Sequence, residues 1–158
     1  MPENRSDNTV HTTKIVPPDL SSRQLAAVVE RQMQAPPSLL FRAWTELFDY
    51  RFAARGTLLM KGEVDARYFF ETIFEGKRYA HYGRFLRLEH ARLVEMTWVT
   101  SETYGFETVV TVALSPQSGG TRLRLKHAGF PDEKSRKRHA EAWHVVLEHL
   151  DQKIITEN

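Results

Sequence analysis

The sequence predicts an α+β domain in which about six to seven antiparallel strands form a sheet against one long C-terminal helix. After Gly56, short runs that alternate apolar and polar residues are separated by turn-forming residues, as strands joined by hairpins are. The C-terminal segment instead repeats apolar residues at helical spacing. A chain of 158 residues is long enough to build one hydrophobic core without a metal ion or a disulfide.

Composition excludes several classes of protein. The chain has no cysteine, so it forms no disulfide, CxxC redox pair, thiolate nucleophile or cysteine-ligated zinc site. Its apolar runs are far shorter than the ~18–20 residues that span a bilayer. The N-terminal residues MPENRSDNTV lack the basic and then apolar order of a signal peptide. We therefore expect a cytoplasmic protein without a membrane span.

Three segments precede the main run of strands. Residues 1–22 are polar and contain Pro17-Pro18, which predicts a flexible N-terminal tail before a single domain at 23–158. Residues 24–34 alternate in polarity and predict a first strand that stops at a proline pair. Apolar residues at helical spacing then predict a short amphipathic helix: Leu40, Ala43, Trp44 and Leu47.

Six further strands and the long helix complete the predicted order. The strands are predicted at 57–63, 67–74, 79–89, 92–99, 106–115 and 121–128. Glycine supplies the positive φ of tight turns, so Gly76 and Gly119-Gly120 mark two hairpins. The helix follows Pro131, and its apolar stripe must face the dry side of the sheet: Trp143, Val146, Leu147, Leu150 and Ile154.

Several short sequence motifs, in this order along the chain, resemble those of one superfamily. The motifs are Phe41-Arg42-Ala43-Trp44-Thr45, Gly83-Arg84-Phe85, Leu93-Val94-Glu95-Met96-Thr97-Trp98, Gly120-Thr121-Arg122-Leu123 and His127-Ala128-Gly129-Phe130-Pro131-Asp132, with His139 and Trp143. They are similar to the SRPBCC superfamily of START and Bet v 1-like domains, and most of all to its family named for the activator of heat-shock-protein-90 ATPase. The resemblance implies a helix-grip fold, in which a curved sheet surrounds the helix and leaves an internal cavity for apolar or amphipathic small molecules.

The chain departs from that family at two places. Members usually carry a Trp-Trp-Gly-Pro segment after the first helix, where this chain has Leu47-Phe48-Asp49-Tyr50-Arg51-Phe52. They often carry a Gly-Gly pair before the third strand, where this chain has Asp65-Ala66-Arg67-Tyr68. We expect a different pocket mouth and a shorter hairpin.

Inward-facing strand positions, together with the helix, give the candidate ligand pocket. Such pockets are mostly apolar with a few orienting polar groups. The alternative is that these residues only fill the core, since aromatic residues favour strands. Gly83 marks either a bend in its strand or only a turn preference. The candidates are Tyr68, Phe70, His81, Phe85, Met96, Trp98, Val110, Val112, Leu125, His127, Trp143 and Leu147.

His81 and His127 are weak catalytic candidates, because each falls in the apolar phase of its strand. Either one orients a ligand or acts as a general base, or it is a core histidine bonded to nearby protein groups. The histidines of the long helix are spaced five apart, which turns them to different faces. We therefore predict no metal and no cofactor.

Three functions compete on this evidence. Binding of a small hydrophobic ligand ranks first, ahead of an aromatase- or cyclase-like enzyme acting on a polyketide-type substrate and of a chaperone-interacting module. The GxSxG, GxxxxGKS and GxGxxG motifs are absent. The basic run Lys134, Arg136, Lys137 and Arg138 is typical of a solvated helix start, so no nucleic acid is expected. A homodimer is a further expectation.

Overall fold

One antiparallel sheet and two helices form the fold. The structure, a computed structural model, describes residues 15–47 and 53–156. The curved sheet has the strand order β1-β6-β5-β4-β3-β2. In chain order the elements are β1 (Leu25–Met33), α1 (Pro37–Thr45), β2 (Arg67–Phe74), β3 (Lys77–Glu89), β4 (Leu93–Trp98), a 3-10 turn (Ser101–Thr103), β5 (Thr108–Gln117), β6 (Gly120–Phe130) and α2 (Glu133–Thr156).

The predicted strand at 57–63 is wrong. Only Leu59 pairs with the sheet there, through a single bridge to Phe69. The side chains alternate as a strand's do, since Leu58 and Met60 pack on the core while Leu59 is exposed. The chain then bends, because the Glu63 N–H donates to the carbonyl of Lys61. The alternation of buried and exposed side chains is therefore as predicted, but the segment does not form a ladder of backbone hydrogen bonds with the sheet.

Helix α1 ends at Thr45, two residues before the last apolar position that predicted it, Leu47. Glu46 leaves helical geometry with a φ of −137°. The N–H groups of Glu46 and Leu47 both donate to the Arg42 carbonyl, which ends the regular bonding. Leu47 therefore follows the helix, and residues 48–52, where the different pocket mouth was predicted, lie outside the described residues.

The hairpins have the predicted turns and run further than predicted. Glu75 and Gly76 both have positive φ between β2 and β3, and Ser118 and Gly119 do so between β5 and β6. Two such residues in succession match the right-handed twist of the flanking strands. The ladders consequently start at Lys77 in β3 and continue to Phe130 in β6.

The core lies between the concave face of the sheet and the two helices. Helix α2 lies along β1 at one end of the sheet, while α1 contacts β4 and β5. Asp151 fixes α2 there, because its carboxylate accepts from the Gln34 N–H at 2.9 Å and lies 3.2 Å from the Arg31 guanidinium. The β2–β3 hairpin is at the other end of the sheet.

The pairing of β3 with β4 is irregular near Gly83. A Cβ at this position would lie 2.2 Å from the carbonyl oxygen of Thr97, so only glycine allows the two backbones to approach this closely. The β3–β4 register shifts just beyond it, between Phe85 and Arg87. On the hairpin side of Gly83, a single bridge from Tyr82 to Val99 replaces the regular ladder.

Part of the predicted tail is described. Residues 1–14 lie outside the described residues, and 15–22 have no strand or helix. The carbonyl of Val16 accepts from Arg84 at 2.6 Å. Leu20 lies beside Gly129, where a Cβ would come within 2.7 Å of its side chain. Within residues 15–47 and 53–156, no helix is long and apolar enough to cross a membrane.

Candidate functional site

A cavity of about 300 Å³ lies between α2 and the β2–β3 hairpin. It exists because α2 packs toward β1, at the opposite end of the sheet from β2. Its lining comes from β2, β3, the end of β4, the turn that follows β4, and α2: Phe70, Thr72, Tyr79, His81, Trp98, Thr100, Ser101, Glu102, Arg138, His139, Ala142, Trp143, Val145, Val146 and His149.

Aromatic rings form the inner wall of this cavity. Trp98 is at the centre, with its ring centroid 5.0 Å from that of Trp143 and 5.8 Å from that of Phe70. Trp44 of α1 supports Trp143 from behind, at 5.8 Å. Because Trp44 and Phe70 are almost fully buried, the wall is part of the packed core and not a mobile loop.

An ion pair and an exposed helix stripe form the outer rim. The Arg138 guanidinium lies 2.6 Å from the Glu102 carboxylate, which joins α2 to the turn after β4. Thr100 caps that turn by accepting from the Glu102 N–H, and the Ser135 hydroxyl donates to the Glu102 carbonyl at 2.6 Å. Ala142, Val145 and His149 continue the rim along the solvent side of α2.

His81 presents one ring nitrogen to the cavity. Its Nδ1–H donates to the Tyr79 carbonyl at 3.0 Å, so Nε2 carries the lone pair. The ring stacks on Phe70, with centroids 4.6 Å apart and planes 13° apart. Burial is the main reason that the pKa of His81 falls to about 4, and nearby His139 adds to the fall. His81 is therefore neutral near pH 7.

His127 is the centre of a buried hydrogen-bond chain. The Trp143 indole N–H donates to its Nδ1 at 3.0 Å, so the neutral ring carries its proton on Nε2. That Nε2–H donates to the Thr108 hydroxyl at 2.7 Å, and the hydroxyl donates to the Trp98 carbonyl at 2.5 Å. Burial holds the pKa of His127 well below its usual value. With both nitrogens bonded, His127 is a structural residue that joins α2 to β5 and β6.

His139 lies between this chain and the cavity. Its Nδ1–H donates to the Ser135 carbonyl at 2.8 Å, and its ring contacts those of His127 and Phe130 at 4.9 and 5.0 Å. Burial lowers the pKa of His139, although the bond to Ser135 and the charge of Glu102 oppose that shift. In the described part of the chain, no three acidic or histidine side chains come together as a metal site would require.

The predicted pocket residues fall into two groups. Phe70, His81, Trp98 and Trp143 line the cavity. The other eight belong to the packed core and do not line it: Tyr68, Phe85, Met96, Val110, Val112, Leu125, His127 and Leu147. Alternation correctly placed them on the inner face of the sheet, but there their side chains are buried in the packed core. Tyr68 is an example, since its hydroxyl donates to the Thr97 carbonyl and burial raises its pKa.

Sequence reasoning missed the rim of the cavity. Arg138, Ala142, Val145 and His149 are spaced four, three and four apart, which is one face of a helix. Their mixed composition concealed that face, because only Val145 is strongly apolar. Thr72 and Tyr79 are directly opposite each other in the β2–β3 hairpin. The position of the hairpin turn fixes this register, so the sequence could have predicted the pair.

A curved antiparallel sheet with a C-terminal helix across it and an aromatic cavity beside that helix defines a helix-grip domain of the START and Bet v 1-like type. The family model described as Activator of Hsp90 ATPase homolog 1-like protein matches residues 34–154. The chain belongs to this family.

Solved structures of similar fold come from several bacteria. The crystal structure of protein MLL2253 from Mesorhizobium loti is 26% identical, with a TM-score of 0.71 over 85% of this chain and 99% of that one. The AHSA1 protein from Silicibacter pomeroyi is 22% identical, with a TM-score of 0.72 over 85% and 100%. CalU16 from Micromonospora echinospora is 21% identical, with a TM-score of 0.64 over 82% and 75%. A search of curated proteins gives no match to this sequence.

Proposed function

We propose that this protein binds a small apolar or amphipathic molecule in the cavity between α2 and the β2–β3 hairpin. The observation that carries the proposal is the cavity itself: about 300 Å³ beside the rings of Phe70, Trp98 and Trp143. Small-molecule sites are typically apolar concave spaces of about 300–1,000 Å³ with a few polar groups. The volume is at the lower end of that range, so the ligand is small.

Ligand binding agrees better with the histidines than catalysis does. His127 has both ring nitrogens bonded to protein groups, so it has no free lone pair with which to accept a proton. His81 lines the cavity, but with a pKa of about 4 it is a weak base near pH 7. Three expectations stay predictions from the sequence: that the protein binds no nucleic acid, that it forms a homodimer and that it is cytoplasmic.

A blocking substitution tests the proposal. Ala142 lies on the exposed side of α2 and lines the cavity, so Ala142→Phe places a ring at its rim without changing the core. Glu141→Phe is the matched control, because Glu141 is the preceding residue, is also exposed and does not line the cavity. We expect 2-methylnaphthalene to bind the unmodified protein and the E141F variant, and to bind the A142F variant at least about tenfold more weakly.

Isothermal titration calorimetry with each protein gives the three dissociation constants. A negative heat-capacity change should accompany binding, because apolar surface is buried. The proposal fails if the unmodified protein binds neither this probe nor its hydroxyl analogue 2-naphthol, or if A142F and E141F bind a probe equally well.

A further inference from the structure

A hydrogen-bond acceptor on the aromatic wall of the cavity is left unused by the part of the chain that the structure describes. Among the described residues, the Nε2 atom of His81 has no hydrogen-bond partner, whereas Nδ1 is bonded to the Tyr79 carbonyl. The ring lines the cavity, and Nε2 is not among the atoms sealed in the core. A lone pair in this position accepts a hydrogen bond and cannot donate one.

The acceptor is held in a fixed orientation. Stacking on Phe70 sets the plane of the imidazole, and the ring also meets Trp98 edge-on at 5.4 Å. The bond from Nδ1 to Tyr79 sets the tautomer, because the carbonyl only accepts. A fixed acceptor loses little conformational freedom when a ligand donor reaches it.

The charged and titratable groups nearby do not favour an anionic ligand. Arg138 is the cation of the rim, and it is already paired with Glu102. His139 donates its Nδ1–H to Ser135. Burial keeps His81 itself neutral, since its pKa is about 4. A carboxylate and the lone pair of Nε2 are both acceptors, so they form no hydrogen bond with each other. An uncharged O–H group donates a hydrogen bond to Nε2.

From this geometry we infer that the ligand is a small, flat, uncharged aromatic molecule whose hydroxyl group donates a hydrogen bond to Nε2 of His81. The flat shape follows from the rings of Phe70, Trp98 and Trp143, which offer faces and edges for stacking. The inference rests on the proposed ligand-binding function and specifies the ligand class for the same cavity.

Two probes of similar shape separate the contribution of the hydroxyl group to binding from that of the aromatic ring. 2-Naphthol carries the donor, and 2-methylnaphthalene replaces it by a methyl group. The measured quantity is the ratio of their dissociation constants, compared between the unmodified protein and His81→Phe, which keeps a flat ring in the wall. His144→Phe is the matched control, since His144 is an exposed histidine of α2 that does not line the cavity.

We expect the preference for 2-naphthol to fall about three- to tenfold in H81F and to stay unchanged in H144F, because a net hydrogen bond contributes about that factor. A second measurement uses the unmodified protein, so it does not depend on the folding of H81F. In ¹⁵N NMR of the histidine rings, the Nε2 resonance of His81 should shift with 2-naphthol and not with 2-methylnaphthalene.

The outcomes separate this inference from the proposed function. If both probes bind, the ratio is the same in the unmodified protein and H81F, and Nε2 does not respond, the inference is wrong and the binding function stands. If neither probe binds the unmodified protein, the binding function is overturned and the inference fails with it.

Discussion

Removing the Thr108 hydroxyl should destabilise the protein by about 1–3 kcal/mol, because it leaves a buried imidazole N–H without an acceptor. Thr108 and His127 are both fully buried, so water does not replace the lost partner. Thr108→Val keeps the shape of the side chain and its preference for a strand. The same substitution also removes the bond from the hydroxyl to the Trp98 carbonyl.

The matched control lies on the same strand. The side chain of Thr111 is half-buried, and its hydroxyl donates to the Glu95 carboxylate at 2.9 Å. Thr111→Val should change the free energy of unfolding by no more than about 0.5 kcal/mol, as most surface substitutions do. Thr108→Val breaks a chain of buried hydrogen bonds, whereas Thr111→Val removes a single half-buried one.

Urea denaturation followed by tryptophan fluorescence measures both changes. A loss of about 1–3 kcal/mol in T108V corresponds to a fall in Tm of roughly 2–12 °C for a chain of this size. The reasoning is refuted if T108V unfolds within about 0.5 kcal/mol of the unmodified protein, or if T111V loses as much stability as T108V does.

Three further outcomes are expected. Because burial lowers the pKa of His81 from 6.5 to about 4, the folded protein binds fewer protons than the unfolded chain between those pH values. Stability therefore falls as the pH drops through this window, and His81→Phe should reduce that slope by about 1.4 kcal/mol per pH unit in urea titrations. Gly83→Ala should cost about 1–3 kcal/mol by forcing a Cβ against the Thr97 carbonyl, and an unchanged Tm would contradict the close approach. Asp151→Ala should lower the free energy of unfolding by about 1–3 kcal/mol, because the Gln34 N–H loses its acceptor. Glu148→Ala, on the solvent side of α2, should leave that free energy nearly unchanged in the same assay.

The order of elements could be predicted from sequence because hairpins are local. Alternation and turn chemistry lie within a few residues of one another, so the pairs β2–β3 and β5–β6 follow directly from the turns at Gly76 and Gly119. The same signal failed at 57–63, where Leu58 and Met60 alternate with exposed Leu59 but the chain bends before a ladder forms. Alternation reports which side chains are buried, and it does not report hydrogen bonding.

The cavity could be predicted only in part, because its walls depend on where α2 lies. Met96 and Trp98 share one phase of β4, yet Met96 is packed in the core while Trp98 lines the cavity. Their difference arises from the packing of α2 toward β1, which leaves the β2–β3 end of the sheet uncovered. No local pattern in β4 contains that information. The sequence also left two roles open for His127, because its bonds to Trp143 and Thr108 join parts of the chain that are distant in sequence.

The pairing of the first strand with the last strand has a consequence for how the protein is made. Arg23, just before β1, donates to the carbonyl of Gly129, which is 106 residues further along the chain. Strand β1 therefore leaves the ribosome long before β6, and α2 emerges last of all. The hairpins in between can form during synthesis, because their contacts are local. Until β6 is released, β1 remains an unpaired strand. Until α2 follows, the inner face of the sheet stays uncovered along β1, so nascent chains that stop short of α2 should be the ones that depend on chaperones.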